Sequence, residues 1–276
     1  MTNDGRPPER VVAALACPVC GDGLARQDTT LRCGRGHSFD IARQGYVNLL
    51  AGLGSARAGS ADTAAMVADR ADFLAAGHYA PLVALITDLA GAPDGLVVEA
   101  GAGTGYYLAA VLDRAPAATG LALDVSPAAL RRAAGAHDRL GAVGWDVWRP
   151  WPVRDGVADV VLDVFAPRNG PQFHRVLRPG GLLVVVTPDA DHLAELGTAA
   201  GLLTVDPRKP ERLADTLGER FDLVDSTPLR YPMTLPPADV ARVVGMGPAG
   251  HHARPVPAGA ARSVTASFVV SRYRSR

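Results

Sequence analysis

The chain has 276 residues, 48% of them hydrophobic and 20% charged, and its 28 basic and 28 acidic side chains give a formal net charge of zero. This length accommodates one large domain and a small one, and the neutral balance argues against a protein wrapped in nucleic acid over its whole surface. The sequence has no run of 18 or more apolar residues, so we predict no membrane span. Its N-terminal segment MTNDGRPPER has no apolar core, so we predict no secretory signal and expect a cytoplasmic protein.

The first chemical pattern is the segment CPVCGDGLARQDTTLRCGRGH, residues 17–37, which contains every cysteine of the chain. Cys17 and Cys20 form a C-x2-C pair, and Cys33 is followed by His37 four positions later. Three thiolates and one imidazole suit a closed tetrahedral zinc site. Since four protein ligands leave no position for water, we predict a structural ion. The alternative, three ordinary buried cysteines, would rarely produce this spacing.

The next segments connect this pattern to the rest of the chain. SFDIARQGYVNLL (38–50) predicts one or two short strands around Gly45. Residues 51–64 are small, polar and rich in glycine and serine, as in a linker. Residues 66–91 carry apolar side chains at helical spacing and predict one or two helices, interrupted near Gly77 and Pro81.

From residue 96, apolar strands alternate with helical segments. The predicted strands are 96–100, 120–125, 141–147, 158–167 and 180–188, and 221–231 and 262–273 are two further candidates. One helix follows the first strand at 106–115, and another begins at Ser126, a favourable N-cap before Pro127. Near-continuous apolar strands in this rhythm predict an α/β fold with a mostly parallel sheet covered on both faces.

The glycine-rich stretch EAGAGTGYY, residues 99–107, lies between a strand and a helix and predicts a ligand site. Glycines let the backbone approach a ligand, and a helix N-terminus favours an anionic group. By itself the pattern also fits a simple tight turn. Glu99 before the glycines, and Asp124 at the end of the second strand, where it can accept hydrogen bonds from ribose hydroxyls, point to a nucleotide-like cofactor. An NAD-dependent oxidoreductase is the competing class.

Several stretches together resemble the bacterial 23S rRNA guanine-N1 methyltransferases, in which a zinc module precedes a class I S-adenosylmethionine-dependent domain. They are CPVC…C…HSFDIARQGYVNLL, ADFLAAGHYAPL, EAGAGTGYY, LALDVSPAAL, VFAP, VLRPGGLLVVVTP with DADHLAEL, and YPM. The resemblance implies methyl transfer from S-adenosylmethionine to a guanine in a hairpin of domain II. We expect the branch that modifies guanine 748 and confers resistance to tylosin- or mycinamicin-type macrolides. The alternatives are the branch that modifies guanine 745 and a non-catalytic zinc-dependent RNA-binding regulator that senses S-adenosylmethionine.

The same resemblance implies individual cofactor contacts. Tyr79, Gly103, Thr104 and His192 match positions that contact the cofactor in the family, and we expect Glu99, Gly101 and Asp124 to complete the site. Outside the family, Tyr79 alone would be read as a packed aromatic residue, and His192 as a surface or capping residue.

Three residues near the fourth strand are candidates for the chemistry on RNA. Guanine N1 carries a proton at neutral pH, and Asp163, at the carboxyl end of that strand, is a candidate to accept it. A strand-end carboxylate that caps a helix is an equal alternative. Phe165 is a candidate to stack on a base and Arg168 to contact phosphate or a base edge, although Phe165 would serve equally well as a core residue.

The resulting organisation is a zinc-binding RNA-recognition module over residues 1–50, a linker and helix over 51–80, and a methyltransferase domain over 81–276. The expected partners are 23S rRNA and, by the resemblance, a second copy of the chain in a homodimer. From residue 240 the chain has six arginines and no acidic residue, which indicates either a local basic surface or a solvated tail.

Overall fold

The structure is a computed structural model that describes residues 6–50, 61–197, 216–247 and 259–276. Most of the predicted linker, and His251, His252 and Arg254 of the basic C-terminal run, lie outside these ranges.

The N-terminal part contains a short helix and a small antiparallel sheet. The helix α1 (Glu9–Ala14) is followed by β1 (Leu24–Gln27), β2 (Thr30–Cys33) and β3 (Ser38–Asp40), which pair in that order. The β1–β2 hairpin was not predicted, because the residues between Cys20 and Cys33 carry no clear alternation of apolar and polar side chains.

A second sheet has eight strands in the order β10-β11-β9-β8-β5-β6-β7-β4. Its strands are β4 (Val47–Asn48), β5 (Leu96–Ala100), β6 (Thr119–Asp124), β7 (Leu140–Gly144), β8 (Ala158–Val164), β9 (Leu177–Pro188), β10 (Phe221–Leu235) and β11 (Arg262–Ser275). β4 to β9 pair in parallel, whereas β11 is antiparallel to both β9 and β10. The predicted mostly parallel sheet is therefore confirmed.

Helices cover both faces of this sheet. They are α2 (Ala64–Ala75), α3 (Ala80–Ala90), α4 (Tyr106–Arg114), α5 (Pro127–Ala133), α6 (Gly170–Val176) and α7 (Pro237–Gly245). The predicted N-cap at Ser126 is present, since its hydroxyl accepts a hydrogen bond from the Ala129 amide at 3.4 Å. Two short helices, α6 with seven residues and α7 with nine, were not predicted from the sequence.

Alternate residues of the central strand feed two hydrophobic cores. Val97 packs with Ile86 and Leu108 on one face, and Val98 packs with residues that include Val11 and Phe173 on the other. All five residues of β5 are buried, which explains why this strand is continuously apolar up to Glu99.

The fifth predicted strand, 180–188, begins earlier in the structure. β9 starts at Leu177 and contains Pro179, Gly180 and Gly181. The partners of β8 jump from Leu177 to Leu182, so the three residues form an irregularity within the strand.

Among the described helices, none is by itself long and apolar enough to cross a membrane. α2 and α3 pass that test only as a pair, with a bend of 86° between them.

Candidate functional site

The four predicted metal ligands converge. Their ligand atoms all lie within 4.8 Å of one another. His37 Nδ1 is 3.6 Å from Cys17 Sγ and 3.3 Å from Cys33 Sγ, and the sulfurs of Cys20 and Cys33 are 3.7 Å apart. A tetrahedral ion with Zn–S of about 2.3 Å and Zn–N of about 2.0 Å separates its ligands by roughly 3.5–3.8 Å. The donor set and its spacing therefore fit zinc, with Nδ1 as the nitrogen ligand.

The segment that carries this cluster is anchored to the large sheet. β4 pairs with β7, Leu15 forms a bridge with Val153, and the Ala16 amide donates to the Pro152 carbonyl at 3.0 Å. A cavity of about 490 Å³ lies between Cys17 and neighbouring residues of the module and the segment 145–155. The group of four ligand residues thus has a fixed position beside the loop that follows β7.

The second candidate centre lies at the carboxyl ends of the parallel strands. The chain runs outward from β5 through β6 to β7 and then crosses to β8 on the other side of β5, which makes β5 a topological switch point. Open α/β sheets bind ligands at such points. Glu99, Asp124 and Asp163 occupy the carboxyl-terminal parts of β5, β6 and β8.

The glycine loop after β5 adopts backbone conformations that favour glycine and passes close to its neighbours. Gly101 has a φ of +61°, and a Cβ at this position would stand 2.9 Å from Ala166 Cβ. Gly103 has a φ of +55°, and α4 begins directly after the loop, at Tyr106. Thr104 is buried and lines a cavity of about 340 Å³ that residues of α2, α4 and α5 also line. A side chain at Gly101 would therefore collide with the segment that follows β8.

Glu99 is a buried acid of this centre with a strongly raised pKa. It is 1% exposed, and its Oε2 has no hydrogen-bond partner among the described residues. Burial raises the pKa of Glu99 to about 8, and the charges of Asp124 and Asp163 act in the same direction. Near neutral pH this carboxyl is therefore largely protonated, and a cationic ligand beside it would favour the ionised form.

Asp124 connects β6 to the glycine loop. Its Oδ2 accepts a hydrogen bond from the Gly103 amide at 2.8 Å, and its Oδ1 accepts one from the Ser126 amide at 2.8 Å. Burial raises its pKa, while these two hydrogen bonds act in the opposite direction. Each carboxylate oxygen has a second lone pair, which a ribose hydroxyl can use.

Tyr79 and His192 meet although they are 113 positions apart in sequence. Tyr79 is 2% exposed, and its hydroxyl is 3.2 Å from His192 Nε2. The Ser267 amide donates to His192 Nδ1 at 3.3 Å. In the neutral imidazole this assigns the proton to Nε2, which donates to the Tyr79 oxygen and leaves the tyrosine O–H to donate elsewhere.

The residues expected to act on RNA are separated. Asp163 is fully buried, whereas Phe165 is 42% exposed with a φ of +57°, a conformation that costs energy for a bulky residue. The Phe165 ring lies 5.6 Å from that of Phe268 and 6.5 Å from that of Tyr79. Arg168 instead lies close to Tyr273, where burial raises the pKa of that tyrosine and the charge of Arg168 acts against this effect. Tyr273 belongs to the hydrophobic core on the other face of the sheet. The structure therefore does not bring Arg168 into the ring cluster around Phe165.

One cation beside the glycine loop was not predicted from the sequence. Arg70 of α2 lies with its Nη1 3.4 Å from the point where a Cβ on Gly103 would stand. It forms an ion pair with Asp62 and donates from Nη2 to the Met246 carbonyl at 2.7 Å. No local pattern distinguishes it from other helical arginines, because its position depends on how α2 packs.

Comparison with known proteins gives related sequences and related folds. Residues 15–51 match the zinc-ribbon family described as "RlmA, N-terminal". The 23S rRNA (guanine(748)-N(1))-methyltransferase of Streptomyces fradiae is 49% identical over 253 residues, which cover 90% of this chain and 89% of that protein. A Micromonospora griseorubida protein, provisionally named 23S rRNA (guanine-N(1)-)-methyltransferase, is 50% identical and covers 94% and 97% of the two chains.

Among solved structures, a provisionally named methyltransferase from Bacillus halodurans superposes with a TM-score of 0.50 at 15% identity. YcgJ from Bacillus subtilis gives a TM-score of 0.50 at 13% identity. Each covers 70% of this chain and 97% of the other. These likenesses concern the fold of the large sheet and its helices.

Proposed function

Because this chain belongs to the 23S rRNA (guanine-N1)-methyltransferases, an S-adenosylmethionine-dependent enzyme family with a zinc ribbon, we propose that it methylates N1 of guanine 748 in a domain II hairpin of 23S rRNA. The observation that carries this choice is the 49% identity to the guanine-748 enzyme of Streptomyces fradiae over 90% of the chain. S-adenosylmethionine supplies the methyl group, and zinc is structural.

Two parts of the switch point would hold the cofactor. Asp124 would accept hydrogen bonds from ribose hydroxyls while it also accepts one from the Gly103 amide. The glycines of the loop from Gly101 to Thr104 would let the cofactor approach the backbone closely. On the other side, the Tyr79 hydroxyl, with His192 donating to its oxygen, would offer a hydrogen bond to the cofactor. Glu99 would place a carboxylate near a cofactor that carries a positive sulfonium and a positive amine. This acidic surrounding is complementary to a cationic methyl donor.

The proton on guanine N1 has to leave during methylation. Asp163, two residues before the exposed Phe165, is our candidate acceptor, since the base would enter at the carboxyl edge of the sheet where both residues lie. Alignment of N1 with the methyl group is the alternative source of rate. We expect Asp163→Asn to lower turnover at least about 100-fold, the usual contribution of a general base, with the affinity for S-adenosylmethionine kept. An unchanged turnover would remove Asp163 from the mechanism.

Exposed apolar side chains support an RNA-binding role. Phe165 follows β8 and Trp148 follows β7, at the same edge of the sheet, and they are 42% and 47% exposed. Aromatic faces of this kind stack on unpaired bases. Val19, 53% exposed between Cys17 and Cys20, gives the zinc knuckle an apolar tip. The apolar tip at Val19 supports a zinc-binding RNA-recognition module over residues 1–50, with 51–80 as linker and helix, whereas Phe165 and Trp148 would meet the RNA from the catalytic domain, 81–276. β4 connects the module directly to the large sheet.

Three further properties belong to the same proposal. An rRNA substrate places the enzyme in the cytoplasm. A homodimer would bring two zinc modules to one RNA.

Methylation of guanine 748 would confer resistance to tylosin- or mycinamicin-type macrolides. Expression in a sensitive strain should raise the inhibitory concentration of tylosin, and the Gly101→Val variant, whose side chain would clash with Ala166, should not.

The decisive experiment uses 23S rRNA from a strain that lacks this modification. Incubation with the enzyme and S-adenosylmethionine should create a primer-extension stop at guanine 748, because N1 methylation blocks base pairing. A stop at guanine 745 would assign the chain to the other branch. Binding of both RNA and cofactor without any stop would instead support the non-catalytic regulator.

A further inference from the structure

The position of Arg70 suggests a contact that neither the family motifs nor the comparisons assign. Its guanidinium lies beside Gly103, the residue whose amide donates a hydrogen bond to Asp124. Two partners hold it there: the carboxylate of Asp62, just before α2, and the carbonyl of Met246, just after α7. The side chain of Arg70 is 26% exposed, so it remains accessible to a ligand in the loop.

The charges around the glycine loop have to match a ligand that carries both signs. S-adenosylmethionine has a carboxylate besides two positive groups, the sulfonium and the amine. Glu99, Asp124 and Asp163 supply carboxyl groups at the ends of β5, β6 and β8, and Arg70 supplies a cation that acts against the effect of burial on the pKa of Asp124. A carboxylate of the cofactor beside Gly103 would lie next to this guanidinium.

We propose that Arg70 binds the carboxylate of S-adenosylmethionine, with Asp62 and the Met246 carbonyl holding the guanidinium in place. This inference rests on the proposed function. Arginine presents five N–H donors in a planar fork that matches a carboxylate. The two contacts to Asp62 and Met246 orient that fork without using all of its donors.

Two other roles of Arg70 make different predictions. It could bind an RNA phosphate, since it is partly exposed. It could also serve only to attach α2 to the end of α7. The second role has a matched control, because Arg242 of α7 also connects these helices, with Nη2 3.5 Å from Asp72 of α2. Arg242→Gln therefore loosens the same pair of helices while the guanidinium beside Gly103 is kept.

The test compares two ligands that differ by one group. Calorimetry on the full-length protein measures Kd for S-adenosylmethionine and for decarboxylated S-adenosylmethionine, which retains the sulfonium and the amine. For Arg70→Gln we expect a loss of about 10- to 100-fold for S-adenosylmethionine, as for a hydrogen-bonded charge pair, and less than about 3-fold for the decarboxylated ligand. Arg242→Gln should change both affinities by the same small factor.

Each other outcome overturns the assignment. An equal loss for both ligands in Arg70→Gln would show a structural role, and a loss only of RNA affinity would show a phosphate contact. If Arg70→Gln fails to fold, Arg70→Lys gives the same comparison. It should weaken S-adenosylmethionine binding selectively, because lysine lacks the planar fork, and equal effects on both ligands would reject the proposal. A wild-type protein that binds neither ligand would refute the proposed function itself.

Discussion

Replacing Glu99 by glutamine tests the electrostatics of the switch point. Glutamine has nearly the same shape but cannot ionise. The wild-type carboxyl is buried, its Oε2 has no partner among the described hydrogen bonds, and its pKa is raised to about 8 from an ordinary value of 4.5. Folding therefore shifts the protonation equilibrium of this one group strongly.

The sign and size of the effect follow from proton linkage. Between pH 4.5 and 8 the folded state keeps the proton on Glu99 and the unfolded state has lost it. Stability contributed by this group consequently falls as pH rises, by about 1.4 kcal/mol per pH unit. From pH 5 to pH 8 the fall amounts to roughly 3 kcal/mol, a large part of a typical free energy of unfolding. Glu99→Gln removes this loss of stability. The free energy of unfolding of the variant should therefore rise relative to that of the wild type as pH increases.

Urea unfolding at pH 5, 6, 7 and 8 measures the difference in free energy between Glu99→Gln and wild type at each pH. We expect this difference to grow by about 3 kcal/mol over the range, while the pH dependence of the zinc module cancels because both proteins contain it. Glu9→Gln makes the same chemical change on the exposed surface of α1 and should give a flat difference. A flat difference for Glu99→Gln as well would show that Glu99 is already ionised in the folded protein.

Three other substitutions test separate parts of the molecule. Cys20→Ser should abolish stoichiometric zinc in metal analysis and unfold the module, since structural zinc contributes about 10 kcal/mol or more to such small folds; a full equivalent of zinc in the variant would contradict the four-ligand assignment. Tyr79→Phe keeps the ring contacts but removes the hydroxyl beside His192, so calorimetry should show binding of S-adenosylmethionine weakened about 3- to 10-fold, as for one neutral hydrogen bond. Phe165→Leu retains an apolar side chain at the same backbone conformation and should weaken RNA hairpin binding in a filter assay by roughly 1–3 kcal/mol, the value of one stacked base, without changing cofactor affinity. Equal RNA affinity would place Phe165 in the core packing alone.

Most of the large sheet was predictable because its signals are local. A strand such as 96–100 is buried on both faces and therefore reads as an unbroken apolar run, and the predicted bounds coincide with β5. The weakly predicted third strand, 141–147, ends earlier, at Gly144, because Trp145 and Asp146 already belong to the loop that meets the zinc module. α6 was missed because its seven residues begin with glycine and proline, and packing of Phe173 against Trp151 stabilises it in place of helix propensity.

The two centres differ in how far sequence could describe them. The zinc ligands lie within 21 positions, so their spacing alone brings four donor atoms together, and the structure adds only that His37 uses Nδ1. The proposed cofactor site would draw on α2, the residue before α3, β5, β6 and the segment after β9, and Tyr79 meets His192 across 113 positions. Spacing carries no information on such a contact; only the family resemblance indicated it. Arg70 had neither signal, because its place over the glycine loop depends on the packing of α2 against α7, which no motif encodes.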